Sequence, residues 1–210
     1  MEQVHKRLNA AFALSVFGMA LTIFLMTVGP TSAFWDCGEY VASCYTLGIP
    51  HPPGNPLYVM LGRVFTIIFF FFKEVAYRVN LISPLCGAFT AMFMYATVVR
   101  GTVAWMGVPD TSWKRIAVYV GGIVGGLLSV LGITFWFSAV EAEVLMPAML
   151  IIAITTWLSL VWYQSKDPNR DKYLILIAYL VFLGIGVHLF AMMAIGPVGL
   201  FVFLSDREKL

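Results

Sequence analysis

Six long apolar stretches decide what this chain can fold into. They run from about Leu8 to Val28, Leu57 to Phe72, Val79 to Val99, Ile116 to Phe137, Val144 to Trp162, and Tyr173 to Leu204. A helix that crosses a bilayer needs about 20 apolar residues, with a working range near 17–25. Of the 210 residues, 60% are hydrophobic and only 11% are charged, against roughly 25% charged in an average soluble domain. A soluble core of this size cannot hide that much apolar surface. The composition excludes a soluble globular domain, a disordered tail and a disulfide-rich secreted module. What remains is an all-α membrane protein. A net charge of +2 without a basic block excludes nucleic acid as a partner. Cys37 and Cys44, seven residues apart on a helix, would sit roughly 10 Å from each other, too far for a disulfide; Cys86 falls in an apolar run and reads as core.

The segment Leu57–Phe72 decides the topology. If it spans, Arg100, Lys114, Arg115, Lys166, Arg170, Lys172, Arg207 and Lys209 all fall outside, against the positive-inside rule. If it lies along the outer interface, those eight join Lys6 and Arg7 on the cytoplasmic side, leaving Arg63, Lys73 and Arg78 outside. Sixteen residues are also short for a span. The second arrangement predicts a single membrane-embedded module over residues 1–210, with about six spans near 8–28, 79–99, 116–137, 144–162, 173–190 and 191–204. An outer juxtamembrane segment covers about 36–72. The first stretch is too long for a signal-peptide core and reads as a retained anchor. Gly184, Gly186, Gly196 and Pro197 break the last stretch into two helices around His188 to Met193.

In that topology the acids gather on the outer side. Asp36, Glu39, Glu141 and Glu143 each follow or precede an apolar run within a few residues, with His51, His188, Arg63 and Arg78 on the same side. Ionisable groups at membrane depth are costly and mark sites or pathways. Around Trp35-Asp36-Cys37-Gly38-Glu39 two readings stand side by side. Asp36 and Glu39 form a capping box at a helix start, or Asp36 is a general base. Around Pro50-His51-Pro52-Pro53-Gly54-Asn55-Pro56, four prolines in seven residues stiffen the backbone. Gly48 is the expected helix C-cap before it and Pro56 the expected first residue of the helix after it. The stretch is either a stiff linker or a preorganised wall presenting His51. On a helix Glu141 and Glu143 would diverge by about 200°, so only one would face a given cavity. His188 closes a Gly-rich helix end.

Taken in order, these residues resemble the GT-C-fold glycosyltransferases, and among them the transmembrane protein O-mannosyltransferase-like family. The resemblance rests on Trp35-Asp36-Cys37-Gly38-Glu39, on Leu47-Gly48-Ile49-Pro50-His51-Pro52-Pro53-Gly54-Asn55-Pro56-Leu57-Tyr58, on Arg78-Val79-Asn80-Leu81-Ile82-Ser83, on Phe135 through Val144 and on Gly184-Ile185-Gly186-Val187-His188. It implies a GT-C-like module, the N-terminal half of a longer enzyme. The implied reaction moves a sugar, by resemblance mannose, from a polyprenyl-phosphate donor to a Ser/Thr hydroxyl of a protein acceptor, with inversion. The implied setting is the outer face of a bacterial plasma membrane or an equivalent endomembrane, with a cytoplasmic N-terminus. Asp36 is then the catalytic acid–base residue with Glu39 beside it. Arg63, Arg78 and His188 are phosphate partners, and His51, Glu141 and Glu143 are substrate contacts. Some GT-C enzymes use a divalent metal, but sequence spacing shows no tight ligand cluster here. A transporter-like module and a non-catalytic membrane scaffold are the alternatives from other classes.

Overall fold

The computed structural model describes residues 2–207. The elements are α1 (Glu2–Thr27), α2 (Cys37–Thr46), α3 (Pro56–Ile68), α4 (Val75–Asn80) and α5 (Ile82–Met106). They continue with α6 (Ser112–Arg115), a π-helical turn (Ile116–Val120), α7 (Gly121–Leu128), α8 (Ile133–Ala139), α9 (Leu145–Gln164) and α10 (Lys172–Ile185). A 3-10 turn (Leu189–Ala194) leads into α11 (Ile195–Arg207). No strand occurs among the described residues. This is an all-α membrane protein. Lys209 lies outside the described residues.

The core is the packing of α1, α7 and α9 around α5. Val16, Ala20 and Phe24 recur every four residues on α1, so they share one face, and all three are fully buried against Ala88, Ala91, Tyr95 and Val99 of α5. Between α5 and α7 the approach is closer still. A Cβ on Gly126 would stand 2.8 Å from the Ala91 carbonyl oxygen, so only glycine allows this spacing, as at small-residue membrane helix contacts generally. A second cluster, built from Cys37, Tyr40 and Cys44 of α2, Tyr58 of α3, Val79, Ile82, Ala142 and Val144, forms the platform on which α2, α3 and α4 rest. Cys37, Cys44 and Cys86 are all free thiols, and Cys86 packs between the two clusters.

The count of spans is lower than the expected six. Among the described residues three helices are long and apolar enough to cross a membrane: Gln3–Thr27, Val75–Met106 and Leu145–Gln164. A fourth crossing forms if Ser112–Leu128 and Ile133–Ala139, bent by 69°, count as one. The Tyr173–Leu204 stretch is broken, as its glycines predict, but its pieces are short. The 14 residues of α10 extend only about 21 Å, below a hydrocarbon core of about 30 Å. The 13-residue α3 is likewise too short to cross. Its tip carries Phe70, Phe71 and Phe72, all exposed, as an interface-lying segment would.

The long helices separate two chemistries. Their ends near Thr27, Ile82 and Leu145 meet the segment that holds α2, α3 and α4: Gly29 N–H donates to the Val140 carbonyl at 2.8 Å, and Ser83 Oγ and the Glu143 main chain exchange contacts at 3.4–3.5 Å. Their opposite ends carry Lys6, Arg7, Arg100 and Lys166. Acids Asp36, Glu39, Glu141 and Glu143 therefore cluster at one end of the bundle and most of the basic residues at the other.

Candidate active site

Asp36 occupies the N-cap position of α2, and its carbonyl accepts the Tyr40 N–H at 2.9 Å. Its carboxylate makes no capping hydrogen bond. Glu39, three residues on, does not reach back to complete a capping box either. Its Oε1 accepts the backbone N–H of His51 at 2.6 Å and its Oε2 meets His51 Nδ1 at 2.7 Å. Of the two readings open for this pair, the capping box is absent.

The Pro-rich stretch is pinned at both ends. At the close of α2 the left-handed position is taken by Leu47 (φ 56°), one residue before the expected Gly48, whose N–H returns to the Ser43 carbonyl at 2.9 Å. Gly54 (φ 88°) turns the chain and donates to the His51 carbonyl at 2.9 Å. Asn55 is itself left-handed (φ 41°) and fully buried, with Nδ2 donating to the Val187 carbonyl at 2.6 Å. Pro56 opens α3 as expected, and Leu57 N–H donates to the Gly186 carbonyl at 2.7 Å. Glu39 thus ties the stretch to α2, while Asn55 and Leu57 tie it to the turn that presents His188. Beneath it, Tyr40 stands 5.7 Å from the His51 ring and meets the buried Tyr58 edge-on at 5.4 Å.

Ligand atoms of Asp36, Glu39 and His51 all lie within 4.8 Å of one another on the exposed face. The Glu39 hydrogen bond raises the His51 pKa from its ordinary value, and that same bond lowers that of Glu39. The shared bond therefore favours the carboxylate–imidazolium form of the pair, whose two charges largely offset each other beside Asp36. Behind it stands Glu143. Burial is the largest influence on this carboxyl and raises its pKa; hydrogen bonds from the Leu145 and Val144 main chain work against that, and the charge of Asp36 adds to it. Residues 140–144 form a bend and not a helix, so the expected divergence of Glu141 and Glu143 does not apply. Glu141 is buried at 5% exposure, and its pKa is raised by burial and then by the Glu143 charge. His188 begins the 3-10 turn, and its Nδ1 accepts the Phe190 N–H at 3.1 Å. Burial lowers its pKa, with the positive His51 as the second cause. The Phe190 N–H occupies Nδ1, so a neutral His188 carries its proton on Nε2.

The structure thus brings Asp36, Glu39 and His51 together, with Glu143 and His188 close enough to feel their charges and Glu141 one step further. Arg63 and Arg78 are held elsewhere. Arg63 Nη1 donates to the Tyr45 carbonyl at 2.7 Å and lies over the Tyr45 ring. Arg78 donates from all three guanidinium nitrogens, to the carbonyls of Phe72, Thr66 and Lys73 at 2.8, 3.2 and 3.3 Å. It knits the turn between α3 and α4. Sequence spacing showed no metal-ligand cluster, whereas the fold makes one from Asp36, Glu39 and His51, a donor set of two carboxylates and an imidazole. Such oxygen-rich sets suit a hard divalent cation, but Glu39 and His51 already satisfy each other, so an ion would have to displace the proton between them. Asn80 carries no role in the sequence reading. It is fully buried, and its Nδ2 donates to the carbonyls of Gly29 and Thr31 at 2.7 and 3.1 Å, fixing the strand of chain that delivers Asp36. A lone amide inside an apolar run is its one sequence signal.

The sequence model of the protein O-mannosyl-transferase TMEM260 N-terminal domain matches residues 36–210. Two curated relatives are similar. A mouse protein O-mannosyl-transferase TMEM260 is 39% identical over 88 residues, 42% of this chain and 12% of its own length. A Dictyostelium discoideum protein O-mannosyl-transferase is 27% identical over 177 residues, 81% of this chain and 19% of its own length. The chain thus spans less than a fifth of the length of these relatives. No solved structure matches it. The matched region begins at Asp36 itself and takes in every residue of the cluster, and the chain belongs to the protein O-mannosyl-transferase TMEM260 N-terminal domain family.

Proposed function

We propose that this domain carries the acceptor-activating side of a membrane glycosyltransferase that moves mannose from a polyprenyl-phosphate donor to a protein Ser/Thr hydroxyl, with inversion, on the outer face. The observation that carries the reading is the Asp36 carboxylate, at the head of α2 but not engaged in capping it, grouped with the Glu39–His51 pair. The relatives are named as protein O-mannosyl-transferases, and the arrangement suits that chemistry.

In this mechanism the acceptor oxygen attacks the anomeric carbon as the bond from that carbon to the donor phosphate breaks. Asp36 takes the hydroxyl proton, and the electron pair of the broken bond leaves with the polyprenyl phosphate. Developing negative charge there needs positive charge and N–H donors nearby. His51, whose protonated form the Glu39 bond favours, supplies the first, and Nε2–H of His188 supplies the second. Arg63 and Arg78 are further cations of the platform; contact with phosphate would take each from its carbonyl partners, and the planar fork of Arg suits such contact. Glu141 and Glu143 orient a sugar hydroxyl or the acceptor. Phe34, Trp35 and Ile49, 84–90% exposed around the cluster, sit where aromatic and apolar side chains meet the headgroup layer. With most of the basic residues at the opposite end of the long helices, the positive-inside rule favours a cytoplasmic N-terminus with Asp36 outside.

Membranes containing a full-length chain with this domain, given polyprenyl-phosphate mannose and a Ser/Thr peptide, should yield an α-linked mannosyl peptide from a β-linked donor. Retention of the donor's anomeric configuration, or use of a nucleotide sugar in its place, contradicts the reading.

A further inference from the structure

The long helices meet again at the end away from Asp36. Arg100 lies seventeen residues beyond Ser83 on α5, which places it roughly 26 Å along the helix axis. There α1, α5 and α9 enclose a cavity of about 260 Å³ lined by His5, Asn9, Arg100, Trp157, Gln164 and apolar residues of α5. Among the described residues no acidic side chain lines it. Arg100 is only partly exposed; its Nη1 donates to Gln164 Oε1 at 2.9 Å, and its guanidinium carbon lies 5.7 Å from the Trp157 ring centroid. A guanidinium has five N–H donors, and a neutral amide oxygen does not balance its charge. A half-buried cation without an anion is costly. Asn9 Oδ1, on the same cavity wall, is buried and has no hydrogen-bond partner, although buried polar atoms are nearly always paired. Among the described residues the cavity therefore lacks an anion at Arg100 and a hydrogen-bond donor at Asn9.

We propose that this cavity binds the headgroup of an anionic phospholipid, with the phosphodiester at Arg100 and a headgroup hydroxyl donating to Asn9 Oδ1. Its volume lies below the 300–1,000 Å³ usual for a whole drug-sized ligand and suits a headgroup whose acyl chains stay in the bilayer. Its setting agrees. It lies at the end that carries Lys6, Arg7 and Arg115, and basic pockets between membrane helices on such faces take anionic headgroups. The Trp157 ring supplies an apolar wall and fixes the guanidinium plane. The proposal does not depend on the transferase reading, since it uses none of the residues at the other end.

The test is native mass spectrometry of the full chain after exchange into equal amounts of phosphatidylglycerol and phosphatidylcholine. One phosphatidylglycerol should be retained in preference to phosphatidylcholine by at least about fivefold. Arg100→Gln should abolish that preference and Asn9→Ala should at least halve it, while Lys166→Ala leaves it unchanged. If Arg100→Gln does not fold, Trp157→Leu and Asn9→Ala carry the same expectation. No preference in the parent chain, or an equal preference in all the variants, overturns the proposal. Displacement of the retained lipid by 10 mM inorganic phosphate, with phosphate itself retained, assigns the cavity to a soluble anion and overturns it as well.

Discussion

Glu39 grips His51 at two points, one carboxylate oxygen on the backbone N–H at 2.6 Å and the other on Nδ1 at 2.7 Å. A residue at the start of one helix thereby sets both the position and the charge of a residue twelve places later in a proline-rich loop. The pKa of His51 is raised and that of Glu39 lowered, each first through their shared side-chain hydrogen bond. Stability from the histidine is present below its ordinary value of 6.5 and lost as pH rises through the raised one. Stability from the glutamate is present above its ordinary value of 4.5 and lost as pH falls through the lowered one. The pair therefore contributes fully between about pH 4.5 and 6.5. An NMR titration of the His51 ring should give a midpoint above 6.5 in the parent, falling in Glu39→Gln. An unmoved midpoint in that variant would show that the pair is not formed.

Gly62 decides how closely α3 lies on α2. A Cβ there would meet the buried Cys44 side chain at well under contact distance, with Cβ of Cys44 at 2.7 Å. Gly62→Ala should destabilise by about 1–3 kcal/mol, the usual range for overpacking, and should lower activity by moving the Pro-rich stretch. Gly18→Ala, with nothing within 4 Å of the added Cβ, should leave stability within about 1 kcal/mol. Thermal unfolding in detergent compares the two directly. Equal melting temperatures would remove the packing argument.

His188 is predicted to donate to the donor phosphate from Nε2 while its Nδ1 caps the 3-10 turn. Asn is a good N-cap residue, so His188→Asn keeps the turn and loses the donor. The donor KM should rise several-fold with little change in melting temperature. An unchanged donor KM would confine His188 to the turn.

The orientation can be read by labelling. Lys73 and Lys166 are both exposed and lie at opposite ends of the long helices. In intact cells, or in sealed vesicles of known sidedness, Lys73→Cys should react from the outer side and Lys166→Cys only after permeabilisation. The reverse pattern would invert the topology and place Asp36 on the cytoplasmic face.

Much of this fold is legible in residue order, because a membrane span announces itself by length. The limits show where length fails as a guide. The stretch from Tyr173 to Leu204 reads as two spans, yet glycines at 184 and 186 stop α10 after 14 residues, and Leu189–Ala194 wind as a 3-10 turn. Apolarity marks a segment as membrane-embedded without saying that it reaches the far side. At the site, Asp36, Glu39 and His51 are each visible as ionisable residues close to apolar runs. Their meeting is not, since positions 36, 39 and 51 match no ligand spacing until the loop doubles back onto α2. Asn55 and Asn80, which hold that loop and the segment leading to Asp36, are single amides whose Nδ2 groups donate to backbone carbonyls as distant as Val187. Main-chain partners leave no pattern in a sequence.

The central claim is that Asp36 accepts the proton of the incoming hydroxyl, and Asp36→Asn tests it most directly. The substitution keeps size and most hydrogen bonding, and Asn serves as well as Asp at a helix N-cap, so a purely structural Asp36 would tolerate it. In a full-length chain with this domain, mannose transfer from a polyprenyl-phosphate donor should fall by at least about 10²-fold, the lower end for loss of a general base, with donor binding and thermal stability retained. Turnover close to that of the parent would contradict the account and move the search for the base to Glu39 and Glu141.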